Sequence, residues 1–378
     1  MLPNFHIKYD LLAASWYNFL ERYALKSVLI FLVFLISSIP CHPQAGRAQS
    51  SPNRQAQRPT PKPKLPAFSS NQAVAEFISQ MVAKHEFEAD WVTKQFSNIA
   101  PNERVLNLML QSAPSQTQTQ HVVRSWKTYR GQFLTKSRIE DGVAFWKKNA
   151  EILARAYEQY GVPPEVIVAI IGVETLYGQR TGTYCVLEAL ASLAFHDTRR
   201  PDFFLAELEQ FFLLTKENGI DLLKPVGSYA GAIGIPQFMP SSWRKFGVDF
   251  DGDGVVDLEK SVADSIGSVA NYLNAHGWQK DQPIAHKVII EGRPKDAWLN
   301  AGMQPSLSVS ELATQGVKVA PISPEMATLI SLPTPGQQTE YWLGYQNYYA
   351  ITRYNRSTFY SMSVFQLAEE IRAKFTIQ

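Results

Sequence analysis

The stretch Pro163-Pro164-Glu165-Val166-Ile167-Val168-Ala169-Ile170-Ile171-Gly172-Val173-Glu174-Thr175-Leu176-Tyr177-Gly178 places a carboxylate on a surface that is otherwise apolar. Paired prolines suit the first turn of a helix, and Gly178 suits its C-terminal cap. Positions three, four and seven before Glu174 are Ile171, Ile170 and Ile167, so the helical face that carries it is hydrophobic. A carboxyl held there is desolvated, which favours the neutral form and raises the pKa. A protonated glutamic acid near neutral pH is what a general acid requires. The competing reading is a glutamate that bends to solvent or pairs with an arginine; this segment alone does not separate the two.

Working outward, the 378 residues are 45% hydrophobic and 12% aromatic, enough for a large core. A net charge of +2 gives no electrostatic case for a nucleic-acid partner or an anionic membrane surface. The 16 tyrosines and 8 tryptophans suit sugar stacking, although ordinary packing accounts for most aromatics. Two cysteines, Cys41 and Cys185, exclude a disulfide framework and a Cys-rich metal site. Arg22 and Lys26 precede an uncharged apolar run of 13 residues, 27–39. That run is short for a spanning helix and fits the core of an export signal. Residues 1–42 are therefore expected to be a signal peptide or N-terminal anchor, which places the protein in the periplasm, free or membrane-anchored. Residues 43–71, rich in Pro, Gln, Ser, Arg and Lys, read as a disordered tether.

Folding is expected to begin near Ala73. Apolar residues recur at helical spacing there and through 103–112, 140–160, 163–178, 184–195, 202–218 and 261–276, with a last helix over 363–375. From His286 the pattern changes. Residues 287–291 read as a short strand, Pro, Gly and Ser punctuate the chain to about Gln338, and 341–354 read as strand or extended loop. The fold expected is mainly α. A helical region spans 72–280, a small β-containing domain spans 281–345, and the chain returns to the core over 346–378.

Three further segments carry chemistry. Asp249-Phe250-Asp251-Gly252-Asp253-Gly254-Val255-Val256-Asp257 matches the opening of an EF-hand loop. Oxygen ligands fall at loop positions 1, 3, 5 and 9, glycine at 6 and a backbone carbonyl, that of Val255, at 7. Position 12 is Lys260 where the standard loop has glutamate, so Asp264, at the start of the next helix, is the expected closing ligand, with Glu259 a weaker candidate. In the run 227–243, small residues permit close backbone approach, and Ser228 and Gln237 are uncharged groups suited to sugar hydroxyls and N-acetyl groups. The bland alternative for that run is a tight helix-packing turn. In 348–357, aromatics and amides suit a saccharide groove or a plain aromatic strand.

Together the blocks 170–178, 227–243, 249–257, 266–278 and 351–355 resemble, in order, the membrane-bound lytic murein transglycosylase B family, over roughly residue 72 to the C-terminus. The resemblance implies a lysozyme-like helical core, an adjoining helical domain and a small antiparallel β insert. It implies cleavage of the β-1,4 bond between N-acetylmuramic acid and N-acetylglucosamine in peptidoglycan, leaving a 1,6-anhydromuramic acid end. The family's catalytic glutamate falls on Glu174. Its substrate-contacting residues fall on Ser228, Gln237, Tyr272, Tyr354 and Asn355, and more loosely on Tyr129, Arg199, Arg200 and Tyr360. Its calcium loop falls on Asp249, Asp251, Asp253, the carbonyl of Val255 and Asp264, with Asp257 a further candidate. Ile235-Pro236 stand where many members have an aromatic-glycine pair. Expected partners are glycan strands and other cell-wall enzymes; a monomer is expected, with a structural Ca2+ and no organic cofactor.

Most glycosidases use two carboxylates. Here one lies on an apolar helix, and the aspartates are committed to metal. A single residue suffices if the substrate supplies the nucleophile. The alternatives are a non-catalytic peptidoglycan-binding scaffold and a hydrolytic muramidase, which requires a second carboxylate in the groove.

Overall fold

The computed structural model describes residues 67–111, 125–197, 199–321 and 323–377. The expected leader, Cys41 and most of the expected tether lie outside the described residues. Among the described residues, no helix is long and apolar enough to cross a membrane. The ordered body starts slightly before Ala73: a 3-10 turn at Phe68–Ser70 buries Phe68 against Phe96 and Phe195.

Helices follow in the order α1 (Gln72–His85), α2 (Ala89–Ser97), α3 (Glu103–Gln111), α4 (Trp126–Phe133), α5 (Lys136–Lys148), α6 (Ala150–Tyr160) and α7 (Pro164–Thr175). Strand β1 (Tyr184–Cys185) leads into α8 (Val186–His196) and α9 (Pro201–Glu217), then β2 (Val226–Gly227), α10 (Pro240–Phe246) and α11 (Val262–Ala275). The later part comprises β3 (Ala285–Ile290), α12 (Asp296–Leu299), β4 (Leu307–Ser308), α13 (Val309–Thr314), β5 (Val317–Lys318), β6 (Met326–Leu332) and β7 (Glu340–Gly344). The chain closes with α14 (Gln346–Tyr354) and α15 (Thr358–Ile377).

The centre of the molecule is α7. Val166 to Ile171 are all within 1% of complete burial, so this helix is enclosed on every side, as a helix apolar all round must be. It packs against α5, α6, α11 and α15. Pro163 in extended conformation caps its start and Pro164 occupies the first turn, where a missing N–H costs nothing.

Around that centre the fold is mainly helical, as the periodicity predicts; α2, α4, α12 and α13 have no counterpart among the expected helices, and three expected segments differ. The single helix expected over 140–160 is two, parted at Asn149, whose side-chain amide donates to the Phe145 carbonyl and ends α5. Residues 184–185 pair with β2 before α8 begins. The extended reading of 341–354 holds only for β7; 346–354 is helix α14. The aromatic run there (Tyr348, Tyr349, Tyr354) mimics strand composition, but burial of Tyr348, Ala350 and Ile351 stabilises a helix.

Residues 285–344 form an antiparallel five-stranded sheet in the order β4-β6-β7-β3-β5. Its central register pairs Leu329 with Leu343 and Lys287 with Trp342. One face buries Val288, Trp298, Leu312, Val317 and Leu329 in a core of its own. The other sets Ile330 and Leu332 against Trp126, Tyr348 and Met362, which joins the sheet to α4, α14 and α15.

Candidate active site

Glu174 lies in the last turn of α7. Beyond it the helix stops abruptly: Leu176, Tyr177 and Gly178 all take left-handed backbone, with φ of 50°, 61° and 85°. The cap is thus Leu176, two residues before the expected Gly178. Two non-glycine residues in that region are strained by roughly 1–2 kcal/mol each. Tyr177 is held there because its hydroxyl donates to the Arg138 carbonyl at 2.7 Å and its ring covers Gly172. Thr175, fully buried, donates to the Ile235 carbonyl at 2.8 Å and accepts from Gly178 N–H at 3.0 Å. The turn after Glu174 is therefore tied to the glycine-rich run.

That run is a tight loop in which Ser228 Oγ accepts from the amides of Ala230 and Ala232, at 3.2 and 3.0 Å. Ser228 is 1% exposed; its oxygen shapes the turn, and its proton alone is left for a ligand. Gly234, with φ of 75°, lies so close to the Leu258 carbonyl that a Cβ would approach it to 2.2 Å. Gln237 also has positive φ, 53°. Its amide nitrogen donates to the carbonyls of Thr181 and Gly234, at 2.9 and 2.8 Å. Its Oε1 is buried with no hydrogen-bond partner among the described residues. Ile235 lies against Gly178, and the Pro236 carbonyl accepts from the Tyr354 hydroxyl.

Aromatic hydroxyls surround the glutamate. Tyr360, from α15, donates to Glu174 Oε1 at 2.6 Å. Tyr354 lies close enough for the Glu174 charge to act on it, and its ring is 4.9 Å from Tyr272. Tyr272 donates to the Arg353 carbonyl at 2.6 Å. Burial pushes the Glu174 carboxyl up to about 7, against the opposing pull of the Tyr360 hydrogen bond. Among the described residues no other carboxylate contributes to that shift. Burial and the Glu174 charge hold Tyr354 and Tyr360 far above the ordinary phenol range, so both remain neutral donors.

The remaining candidates are placed less tightly. Tyr129 is half-buried beside Phe133 and Phe359 and acts electrostatically on Tyr360. Asn355 is half-buried at the end of α14. Arg200 lies 4.1 Å over the Phe203 ring and feels the charge of Arg356, next to Asn355. Arg199 is exposed and pairs with Asp197 at 3.4 Å. Thr175, Tyr177 and the Pro236 carbonyl were invisible as site groups in the sequence, because each works through a contact made only in three dimensions. A second desolvated carboxylate, Glu207, was likewise not foreseen. Both its oxygens are taken by Ser241, through N–H at 3.0 Å and Oγ at 2.6 Å, so it anchors the start of α10.

In the acidic loop, carboxylate oxygens of Asp249, Asp251 and Asp264 lie within 4.8 Å of one another. Three such hard oxygen donors fit a calcium ion. Asp264 also fastens the loop, accepting from the amides of Phe250 and Asp257 at 2.7 and 2.8 Å. Asp253 accepts from the Val255 amide, and Asp257 from the amides of Glu259 and Lys260; neither belongs to the cluster. The loop's far end joins the groove wall, because Ile235 N–H donates to the Leu258 carbonyl at 2.8 Å.

Comparison with known proteins gives a consistent result. Residues 69–369 match the family model described as the transglycosylase SLT domain. The chain is 41% identical over 310 residues to membrane-bound lytic murein transglycosylase B of Escherichia coli K12, covering 80% of this chain and 84% of that one. Among solved structures it resembles the Escherichia coli lytic transglycosylase SLT35 in complex with calcium. The TM-score is 0.73 at 39% identity, covering 82% of this chain and 96% of that one. It also resembles SltB3 of Pseudomonas aeruginosa in complex with NAG-anhNAM-pentapeptide. There the TM-score is 0.66 at 29% identity, covering 79% and 78% of the two chains.

Proposed function

This chain belongs to the lytic murein transglycosylases of the transglycosylase SLT domain family, enzymes that cleave glycosidic bonds of peptidoglycan, and from that premise we propose that Glu174 is its single acid–base residue and that its product ends in 1,6-anhydromuramic acid. One observation carries the proposal: burial pushes the Glu174 carboxyl up to about 7, and among the described residues Tyr360 is its one hydrogen-bond partner and no second carboxylate acts on it. Protonated, Glu174 gives its proton to the glycosidic oxygen between N-acetylmuramic acid and N-acetylglucosamine as the bond to C1 breaks. The 2-acetamido group of the muramic residue stabilises the charge developing at C1. Glu174, now a carboxylate, takes the proton of the C6 hydroxyl as that oxygen bonds to C1. The glutamate ends protonated, and no water is consumed. A hydrolytic muramidase needs a second carboxylate to position water; of the two other buried carboxylates among the described residues, Glu207 is spent on Ser241 and Asp264 on the acidic loop.

Substrate contacts fall to Gln237, whose unpartnered Oε1 suits an N-acetyl N–H or a hydroxyl, and to Tyr354, Asn355 and Tyr272 along the same wall. Tyr129, Arg200 and the proton of Ser228 supply the outer contacts, with Arg199 at the rim. Calcium, held by Asp249, Asp251 and Asp264 and completed by Asp253 and the Val255 carbonyl, has a structural role: it braces the loop that reaches the groove through Leu258. The proposed setting is the cell envelope. The Escherichia coli relative is called membrane-bound, and an export signal at 27–39 suits that setting. N-terminal sequencing of protein from an exporting cell checks the leader, with full-length protein in the cytosol the contrary result. Mass spectrometry of muropeptides released from purified sacculi tests the reaction.

A further inference from the structure

Arg138, near the start of α5, and Arg180, in the turn after α7, form a pair of cations that has no ion-pair partner among the described residues. The Arg138 guanidinium lies 5.1 Å over the Phe133 ring, with Nε and Nη1 buried and without a hydrogen-bond partner among the described residues. Arg180 is exposed, and among the described residues no hydrogen bond or ion pair is formed by its side chain. The charge of Arg180 acts directly on Arg138, and with burial it pulls the Arg138 pKa down. Leaving a buried donor of a charged group unmade is costly, and a like charge beside it adds to the cost. Two other half-buried arginines are matched by side-chain acceptors, Arg130 to Gln366 and Arg244 to Glu217, while Arg200 and Arg353 lie over the rings of Phe203 and Tyr349.

The pair lies between groove elements. On one side, the Phe133 ring beneath Arg138 is 5.2 Å from Tyr129, which acts on Tyr360. On the other, Arg180 precedes Thr181, whose carbonyl holds the Gln237 amide at 2.9 Å. The Arg138 carbonyl takes the Tyr177 hydroxyl in the strained turn after Glu174. We infer that Arg138 and Arg180 together bind a carboxylate of the stem peptide carried by the substrate strand, at the edge of the groove beside Tyr129. The inference rests on the peptidoglycan reading above. In a peptide-bearing strand the lactyl carboxyl of each N-acetylmuramic acid is taken up in the amide to its peptide, so the strand's anions are the carboxylates of its peptides. A carboxylate bridging two guanidinium forks satisfies the buried donors and separates the two positive charges.

The test compares steady-state cleavage of peptide-bearing strands with that of the same strands stripped of their stem peptides by an amidase. Arg180→Ala, at an exposed position, and Arg138→Met, which keeps the packing on Phe133, are each expected to raise KM about 10-fold on peptide-bearing strands. On stripped strands, whose carboxylates are the lactyl groups held against the sugar rings and not those of a peptide, both should match the parent, and on peptide-bearing strands Arg138→Lys should fall between parent and Arg138→Met. If Arg138→Met does not fold, Arg180→Ala alone decides. Parental KM for Arg180→Ala on peptide-bearing strands overturns the site, as does an equal loss on both substrates. A parent enzyme inactive on both would overturn the transglycosylase reading itself, a result distinct from either.

Discussion

At the scale of single residues, the account turns on a carboxyl whose environment opposes ionisation. Glu174→Gln keeps size and hydrogen bonding but moves no proton. Its turnover on sacculi should fall by at least about 10²–10⁴-fold, with binding of glycan strands retained. The same residue leaves a mark on stability. Its folded pKa of about 7 stands above the 4.5 of an ordinary glutamate, so its contribution is fully present below about pH 4.5 and is lost as pH rises through 7. The glutamine variant has no such loss. Its stability relative to the parent should improve by about 1–3 kcal/mol between pH 4 and pH 8, and pH-dependent melts of the two proteins check this. Parallel pH profiles would contradict the raised pKa. Tyr360→Phe removes the bond that opposes burial, so the alkaline limb of activity should move to higher pH; an unmoved limb would remove Tyr360 from the control of Glu174. Glu174 was legible in the sequence because three isoleucines at helical spacing surround it. The resemblance placed Tyr360 in the site as a substrate contact, but its bond to Glu174 was not legible, since the two lie 186 positions apart. Ser228 was legible as a polar group in a small-residue run, but nothing in the run shows that two backbone amides claim its oxygen.

At the scale of elements, the glycine-rich run and the acidic loop act as one braced unit. Gly234→Ala places a Cβ 2.2 Å from the Leu258 carbonyl at φ of 75°. It should cost about 2–4 kcal/mol and weaken activity without touching Glu174; thermal melts and turnover measure both. Calcium at about 100 times its dissociation constant should stabilise the fold by roughly 2.7 kcal/mol. Melts with calcium and with chelator should therefore differ, and Asp251→Ala with Asp264→Ala should abolish the difference. Identical melts of the parent in both conditions would remove the ion. The helices with an apolar stripe, α1, α3, α9 and α11, were readable from periodicity alone. The boundary at Asn149 was not, because a single side-chain bond to Phe145 decides it. Helix α14 misled for a different reason: its tyrosines have strand propensity, and packing against α11 and α15 overrides it.

At the scale of the whole molecule, α7 is the axis on which the other parts converge. It carries Glu174 at its end, α15 brings Tyr360, α14 brings Tyr354, and the loop from β2 to α10 brings Gln237. The mainly helical architecture with a small antiparallel sheet follows from this enclosed helix, which needs apolar cover on all sides. How the sheet's own core leaves the main one could be expected only coarsely, since β4 and β5 are two residues each. A fold that places one neutral carboxyl among neutral tyrosines is suited to returning a proton to its own substrate. The most direct test is mass spectrometry of muropeptides released by the unmodified enzyme, with borohydride treatment. The account predicts products one water lighter than hydrolysis would give, and resistant to reduction. Reducible muramic acid ends of hydrolytic mass would contradict it.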